Sequence, residues 1–397
     1  MPDSTRKASK RGWTTVAFGD VVRQVKDRID PEASGLDRYV AGEHMDTDDL
    51  CIRRWGLVGD GYLGPAFHMR FKPGHVLYGS RRTYLRKVAL ADFEGITANT
   101  TYVLESSDPE VLLPELLPFI MQTEAFSQHS VRESKGSVNP YVNFSDLAWF
   151  EFALPPIEEQ QRIAELCLAA DWTASALEDA EHAAKMAWRA AIEERERQWV
   201  HTIRPLGELL ASIQAGKSVM GVERTRAPGE RAVLKVSAID PLGFQPHESK
   251  VLLAQHEFKP ELSIRSGDLL MTRSNTSELV GETCLVNCDY EELMLCDKTL
   301  RLMPRPDVSP ALLWHMLQSR RVRREIEAVA TGTGGAMKNI SQPKIKALLV
   351  CVPKTSNQAS SAARDLGTLF GAYMRVRARV ASARQTRSRV LNASLKG

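Results

Sequence analysis

The sequence holds no run of 18 apolar residues, so it offers no helix able to span a bilayer. Its basic start, MPDSTRKASKRGW, is not followed by an apolar stretch, which excludes a secretory signal and leaves residues 1–11 as an expected flexible basic tail. Cysteine is sparse. Cys51, Cys167, Cys284, Cys288, Cys296 and Cys351 are scattered, and the spacings within 284–296 suit no zinc site. The nine histidines include no pair four apart on a helix, and no metal is expected. Reduced thiols and no membrane span give a cytoplasmic expectation. A net charge of only +3 names no partner by itself. What is present is ordinary: 397 residues, 43% hydrophobic and 25% charged, enough for two or three domains.

A second absence is local. From Glu158 to Val200 there is neither proline nor glycine. Ile163, Leu166, Ala170, Thr173, Leu177, Ala180, Ala184, Ala187 and Ala191 step by three and four, which predicts a coiled-coil helix. At 1.5 Å per residue it is roughly 65 Å long, too long for one compact core. A second helix is expected from Ser356 to Gly397, with a seam at Leu366, Leu369, Tyr373, Val376, Val380, Ala383, Arg387, Val390 and Ser394. The first segment holds ten acidic and five basic residues, and the second eight basic and one acidic. Opposite charge favours pairing the two.

On either side of the first of these helices the chain repeats itself. Short apolar segments at Tyr39–Val40, Phe67–Phe71, His75–Tyr78, Val88–Ala89 and Tyr102–Leu104 predict strands, with a helix over Pro114 to Gln128. A Gly loop, Lys135-Gly136-Ser137-Val138-Asn139-Pro140, precedes a strand expected over Leu147 to Leu154. The same order returns after Pro205: Ser266 to Met271, the helix at Pro310, the Gly loop at Gly334 to Ile340, and Ile345 to Pro353. Equal order and spacing indicate a duplication of about half the chain.

Two α+β units, each closed by a proline breaker and a long helix, resemble the specificity (S) subunit of type I restriction–modification systems. The segment LPPIEEQQRIAEL, Leu154 to Leu166, is similar to that family's junction between recognition domain and helix. The second junction, VPKTSNQASSAARDL, departs from it in lacking the second proline and the Glu-Gln run. The resemblance implies an α+β fold of two tandem mixed α/β target-recognition domains, at 12–155 and 203–353. They are separated by a central helical spacer, 156–202, and followed by a C-terminal one, 354–397, which pair as an antiparallel coiled coil. It implies that each domain reads half of a split site in double-stranded DNA. The helices set the spacing and dock two modification (methyltransferase) subunits and possibly restriction subunits. S-adenosylmethionine is expected in the modification subunit, ATP and Mg in a restriction subunit, and no cofactor in this chain.

The motifs agree with a reader rather than a catalyst. Asn139-Pro140-Tyr141 lacks the second proline of an adenine methyltransferase motif, and Thr331-Gly332-Thr333-Gly334-Gly335 is not followed by Gly-Lys-Ser/Thr. Two rivals stay open: the specificity subunit of a related bipartite-site enzyme with fused nuclease–methyltransferase, and a helical assembly adaptor that reads no DNA. Cations and amides suited to phosphates and base edges fall at matching places in the repeats. The first offers Arg81, Arg82, Tyr84, Arg86 and Lys87, then Lys135, Ser137 and Asn139. The second offers Lys217, Arg224, Arg226, Arg273, Asn275, Thr276, Lys338 and Asn339. Ile163, Leu166, Leu177, Leu366, Leu369, Tyr373, Val376 and Val380 are the expected interface positions on the helices.

Overall fold

The computed structural model describes residues 12–332 and 337–395. The expected basic tail 1–11, positions 334–336 of the second Gly loop, and residues 396–397 lie outside the described residues. Among the described residues no helix is long and apolar enough to cross a membrane. The chain divides into two compact units, residues 1–176 with 380–397 and residues 177–379. Each is larger than the domain expected from sequence because it takes in part of both long helices.

In the first unit, Val22–Val25, Thr101–Ser106, Val76–Gly79 and Val88–Leu90 form an antiparallel sheet in that order. A second sheet runs Gly56–Leu57, Arg38–Val40, Gly95–Ala98, Phe67–Phe71, with Arg38–Val40 parallel to Gly95–Ala98. Thr14–Ala17 and Glu151–Leu154 make a ribbon beside them. The second unit repeats this order. Leu210–Ala215, Thr299–Pro304, Leu269–Thr272 and Thr283–Leu285 form the antiparallel sheet. The other sheet pairs Ala232–Leu234 with Tyr290–Met294 in parallel, and Ile203–Pro205 with Leu349–Cys351 is the ribbon. The duplication is therefore present in the shared strands, to which the second unit adds Gly221–Val222 on its five-stranded sheet and a hairpin of Ile239–Asp240 with Gly243–Phe244.

Two local expectations are corrected. The helix expected over 114–128 is broken at Thr123, whose extended backbone and hydroxyl cap a new helix, Glu124–Arg132, by accepting from Phe126 N. The break turns Ala125 to solvent. The run from Leu147 is not one strand: Phe144–Ala148 is a helical turn, and only Glu151–Leu154 is extended, which leaves Trp149 78% exposed. Ile345 likewise lies in a helix, Gln342–Ala347, before the strand Leu349–Cys351.

The central helix spans Ile157–Gln198 and the C-terminal helix Ser356–Ser394. In the second unit Glu181 meets Arg377 at 3.3 Å and Arg195 meets Asp365 at 2.9 Å, so the helices run antiparallel. In the first unit Arg387 donates to Asp171 at 2.5 Å and to Gln122 Oε1 at 2.7 Å, both side chains of the ion pair being largely buried. The C-terminal seam lies where the sequence places it: Leu366, Tyr373 and Val380 are buried, Leu369 and Val376 half-buried. The central seam does not. From Ile163 onward its most buried positions are Ile163, Ala164, Cys167, Asp171, Ala174, Trp188 and Ile192, most of them one residue later than expected, while the expected Ala184 and Ala191 are half-buried and pack on the core. Ile163 is buried and Leu177 half-buried at its margin, but Leu166 is 51% exposed and outside the helix packing. Alanines weigh little in fixing a helix face. The indole of Trp188 and the charged partners of the arginines set the phase instead.

Candidate nucleic-acid interface

In the first unit three loops are sewn into one edge. Ser80 N donates to Thr100 O at 3.0 Å and Val142 N to Ser80 O at 3.0 Å. Lys135 and Tyr141 exchange both backbone hydrogen bonds, at 2.8 and 2.9 Å, closing the loop 136–140 between them. Gly136 (φ +90°) supplies the left-handed turn that closure needs. The second unit repeats the stitching. Arg273 N donates to Lys298 O at 2.8 Å, Ile340 N to Arg273 O at 3.0 Å, and Thr331 and Asn339 exchange bonds at 2.9 and 2.8 Å. Ser274–Asn275 pairs antiparallel with Lys338–Asn339, with the Ser274 hydroxyl on Asn339 Oδ1. Lys217 follows Gly216, whose missing Cβ would fall 2.2 Å from the Cys296 carbonyl oxygen, so only glycine fits that approach.

The candidate cations divide into two groups. Arg81 lies exposed, its guanidinium 4.8 Å over the Tyr141 ring, which orients it without neutralising it. Arg82, Tyr84, Ser137, Asn139, Lys217, Arg273 and Thr276 are also exposed, and Asn275 is half-buried. Arg82 holds a left-handed backbone (φ 50°), fixed by donation of its N–H to Pro140 O at 2.6 Å. A non-glycine residue there carries strain, which neighbouring contacts must hold in place.

The second group is occupied inside the fold. Arg86 donates to Asp48 and Glu124, each at 2.7 Å, and to Gln122 O at 2.9 Å. Lys87 Nζ binds Gly42 O. Lys135 meets Asp146 at 2.8 Å, and this hydrogen bond holds the Asp146 carboxyl below the usual carboxylate range. Arg224 grips Glu230 with both guanidinium nitrogens, at 2.7 and 2.5 Å, and that grip takes the Glu230 carboxyl down to about 2. Arg226 lies 3.5 Å from Glu292, and Lys338 Nζ 3.4 Å from Gly332 O. The arginine run after the Pro310 helix is structural in the same way: Arg323 reaches Val280 O at 2.7 Å, and Arg320 meets Glu193 at 3.0 Å.

Sequence reasoning missed Tyr141, the ring under Arg81, although it stands in the Asn-Pro-Tyr turn. It also missed what the junction does. Gln160 is buried; its amide donates to Val111 O at 2.8 Å and Pro155 O at 2.9 Å and accepts from Leu113 N at 2.8 Å. Trp13 Nε1 donates to Glu159 Oε2 at 3.0 Å beside it. Glu159 and Gln160 of the junction thus form a polar bracket that fixes the helix start to its own domain.

Each copy of the duplicated α+β domain thus presents exposed arginine on a loop edge and takes in part of both long helices. Residues 46–175 match the family described as the type I restriction modification DNA specificity domain. The chain is 28% identical over 191 residues to the type I restriction enzyme EcoEI specificity subunit of Escherichia coli; the match covers 47% of this chain and 32% of that protein, about a third of its length. Its fold matches the crystal structure of the type I restriction–modification S subunit from M. genitalium, with a TM-score of 0.62 at 12% identity over 99% of this chain and 98% of that one. It also matches a chain from a structural study of complex assembly and conformational transition of the type I R-M system, with a TM-score of 0.52 at 18% identity over 98% of this chain and 99% of that one. The chain therefore shares the fold of the type I S subunit and, over residues 46–175, is similar to the type I restriction modification DNA specificity domain.

Proposed function

We propose that the chain is the non-catalytic DNA-reading subunit of a cytoplasmic type I restriction–modification complex. Each unit reads one half of a split duplex site. The paired helices set the spacing and dock two modification subunits, which bind S-adenosylmethionine and methylate adenine; a restriction subunit, where present, uses ATP and Mg. The observation that carries this reading is the repeated loop edge, with Arg81 in one unit and Arg273 at the equivalent edge in the other, both exposed. Exposed arginine suits guanine edges and phosphates. The side chains proposed to reach DNA are Arg81, Arg82, Tyr84, Ser137, Asn139, Lys217, Arg273, Asn275 and Thr276. Arg86, Lys87, Lys135, Arg224, Arg226, Lys338 and Asn339 shape the loops that present them.

The test is to purify the chain with co-expressed methyltransferase subunits and map the methylated adenines. The reading expects a motif of two defined halves separated by unspecified bases. A continuous motif, or no duplex binding by the complex, would overturn it. Arg81→Ala or Arg273→Ala is expected to weaken cognate binding by ~1–3 kcal/mol where the arginine reads a base. Equal loss on random duplex assigns the contact to phosphate.

A further inference from the structure

The loop closed by Lys135 and Tyr141 carries one residue that a polar edge does not explain. Val138 is the middle residue of Gly136-Ser137-Val138-Asn139-Pro140 and is 90% exposed. Its backbone is set by the Lys135–Tyr141 hydrogen-bond pair on one side and the Arg82 N–H to Pro140 O bond on the other. Gly136 turns the chain into the loop, and Pro140 fixes its exit. A β-branched side chain is stiff at χ1, so this apolar group is held ready at little entropic cost on binding. Around it the edge is polar or cationic: Ser137, Asn139, Arg81 and Arg82. The one apolar feature that a base pair presents in the major groove is the thymine C5-methyl.

We propose that Val138 is a specificity-determining residue that reads a thymine methyl in the half-site of the first unit. The proposal rests on the DNA-reading function above. Arg81 and Arg82 hold the loop against the backbone or a guanine edge, and Val138 closes on the methyl and excludes water from it.

The experiment is a deoxyuridine scan on the full chain in its methyltransferase complex, using a duplex that carries the mapped methylation motif. Each thymine of the half-site is replaced in turn by deoxyuridine, which lacks only the C5-methyl, and Kd is read for the wild type and for Val138→Ala. The wild type is expected to lose about 3- to 5-fold at one position, the worth of one methyl removed from water. Val138→Ala is expected to lose about as much on the thymine duplex and to be indifferent to deoxyuridine at that position, because the two changes remove the same contact. A Val138→Ala variant that still loses about 3- to 5-fold when deoxyuridine replaces thymine at that position, no sensitive thymine, or a half-site without thymine would overturn it while leaving sequence-specific binding intact. Failure of the wild type to prefer the motif over random duplex would instead overturn the DNA-reading function itself. Val138 has no buried contact to lose, so the variant folds; its thermal midpoint, unchanged, serves as the control.

Discussion

Gln160 and Gln358 occupy the same place in the two repeats, 198 residues apart, and behave differently. Gln160 is buried and holds three backbone groups of its own domain. Gln358 is exposed and its side chain accepts from Lys354 N, just before its own helix, at 3.1 Å. Where the first unit has its bracket, the second has an open cleft bordered by Asp307, Ser309, Leu313 and Pro353. The second unit makes its attachment elsewhere, and with aromatic surface. Trp188 of the central helix stacks with Trp314 and Tyr373, lies 4.9 Å from the Phe370 ring, and donates its indole N–H to His315 Nδ1 at 3.2 Å. One duplicated fold has therefore fixed a domain to a helix in two ways, with directional hydrogen bonds in one copy and with buried rings in the other.

The difference predicts different failures. Trp188→Ala removes a buried indole from the centre of the second unit and is expected to cost about 3–5 kcal/mol in urea unfolding of that unit; a loss under 1 kcal/mol would show that the rings are not its anchor. The same site gives the second unit an acid sensitivity. Burial pushes His315 down to about 4 from 6.5, and its Nδ1 must stay unprotonated to accept from Trp188. A base with a depressed pKa contributes stability above its unfolded value and loses it as pH falls. The second unit should therefore weaken by about 3 kcal/mol between pH 6.5 and 4, followed by tryptophan fluorescence. His315→Gln should flatten that slope, and a slope unchanged in the variant would assign it elsewhere. Smaller again, Gln160→Ala leaves a buried N–H and two carbonyls unpartnered and should cost about 2 kcal/mol in the first unit. Gln358→Ala, at the exposed equivalent, should stay within about 0.5 kcal/mol. Similar losses from the two glutamine variants would erase the proposed distinction.

Much of the architecture was legible in the sequence because it is written in strong signals. Prolines 155 and 353 end the repeats, and large residues such as Leu366 and Tyr373 mark the C-terminal seam. The central seam was displaced by one residue because that helix is alanine-rich. Ala180 and Ala187 scored as apolar yet face solvent, while Asp171 and Glu181 scored as surface yet meet arginines of the other helix. Opposite charge did name the helix partner, but the charges act in the seam rather than beside it. The candidate DNA edge was legible only in part. Arg86 and Arg224 look like free cations along the chain, but folding brings Asp48 to one and Glu230 to the other. A count of basic residues cannot separate an arginine that meets a carboxylate from Arg81, which meets a ring. Gln160 was passed over for a related reason: a glutamine in an exposed-looking Glu-Gln run gains its role only when Val111, Leu113 and Pro155 close around it.

The most direct test of two independent readers is base preference, measured by binding the complex to libraries randomised in one half-site at a time, for Arg81→Ala and for Arg273→Ala. Relaxed preference confined to one half for the first variant and to the other half for the second is the expected result. Relaxation of both halves together, or of neither, would contradict it.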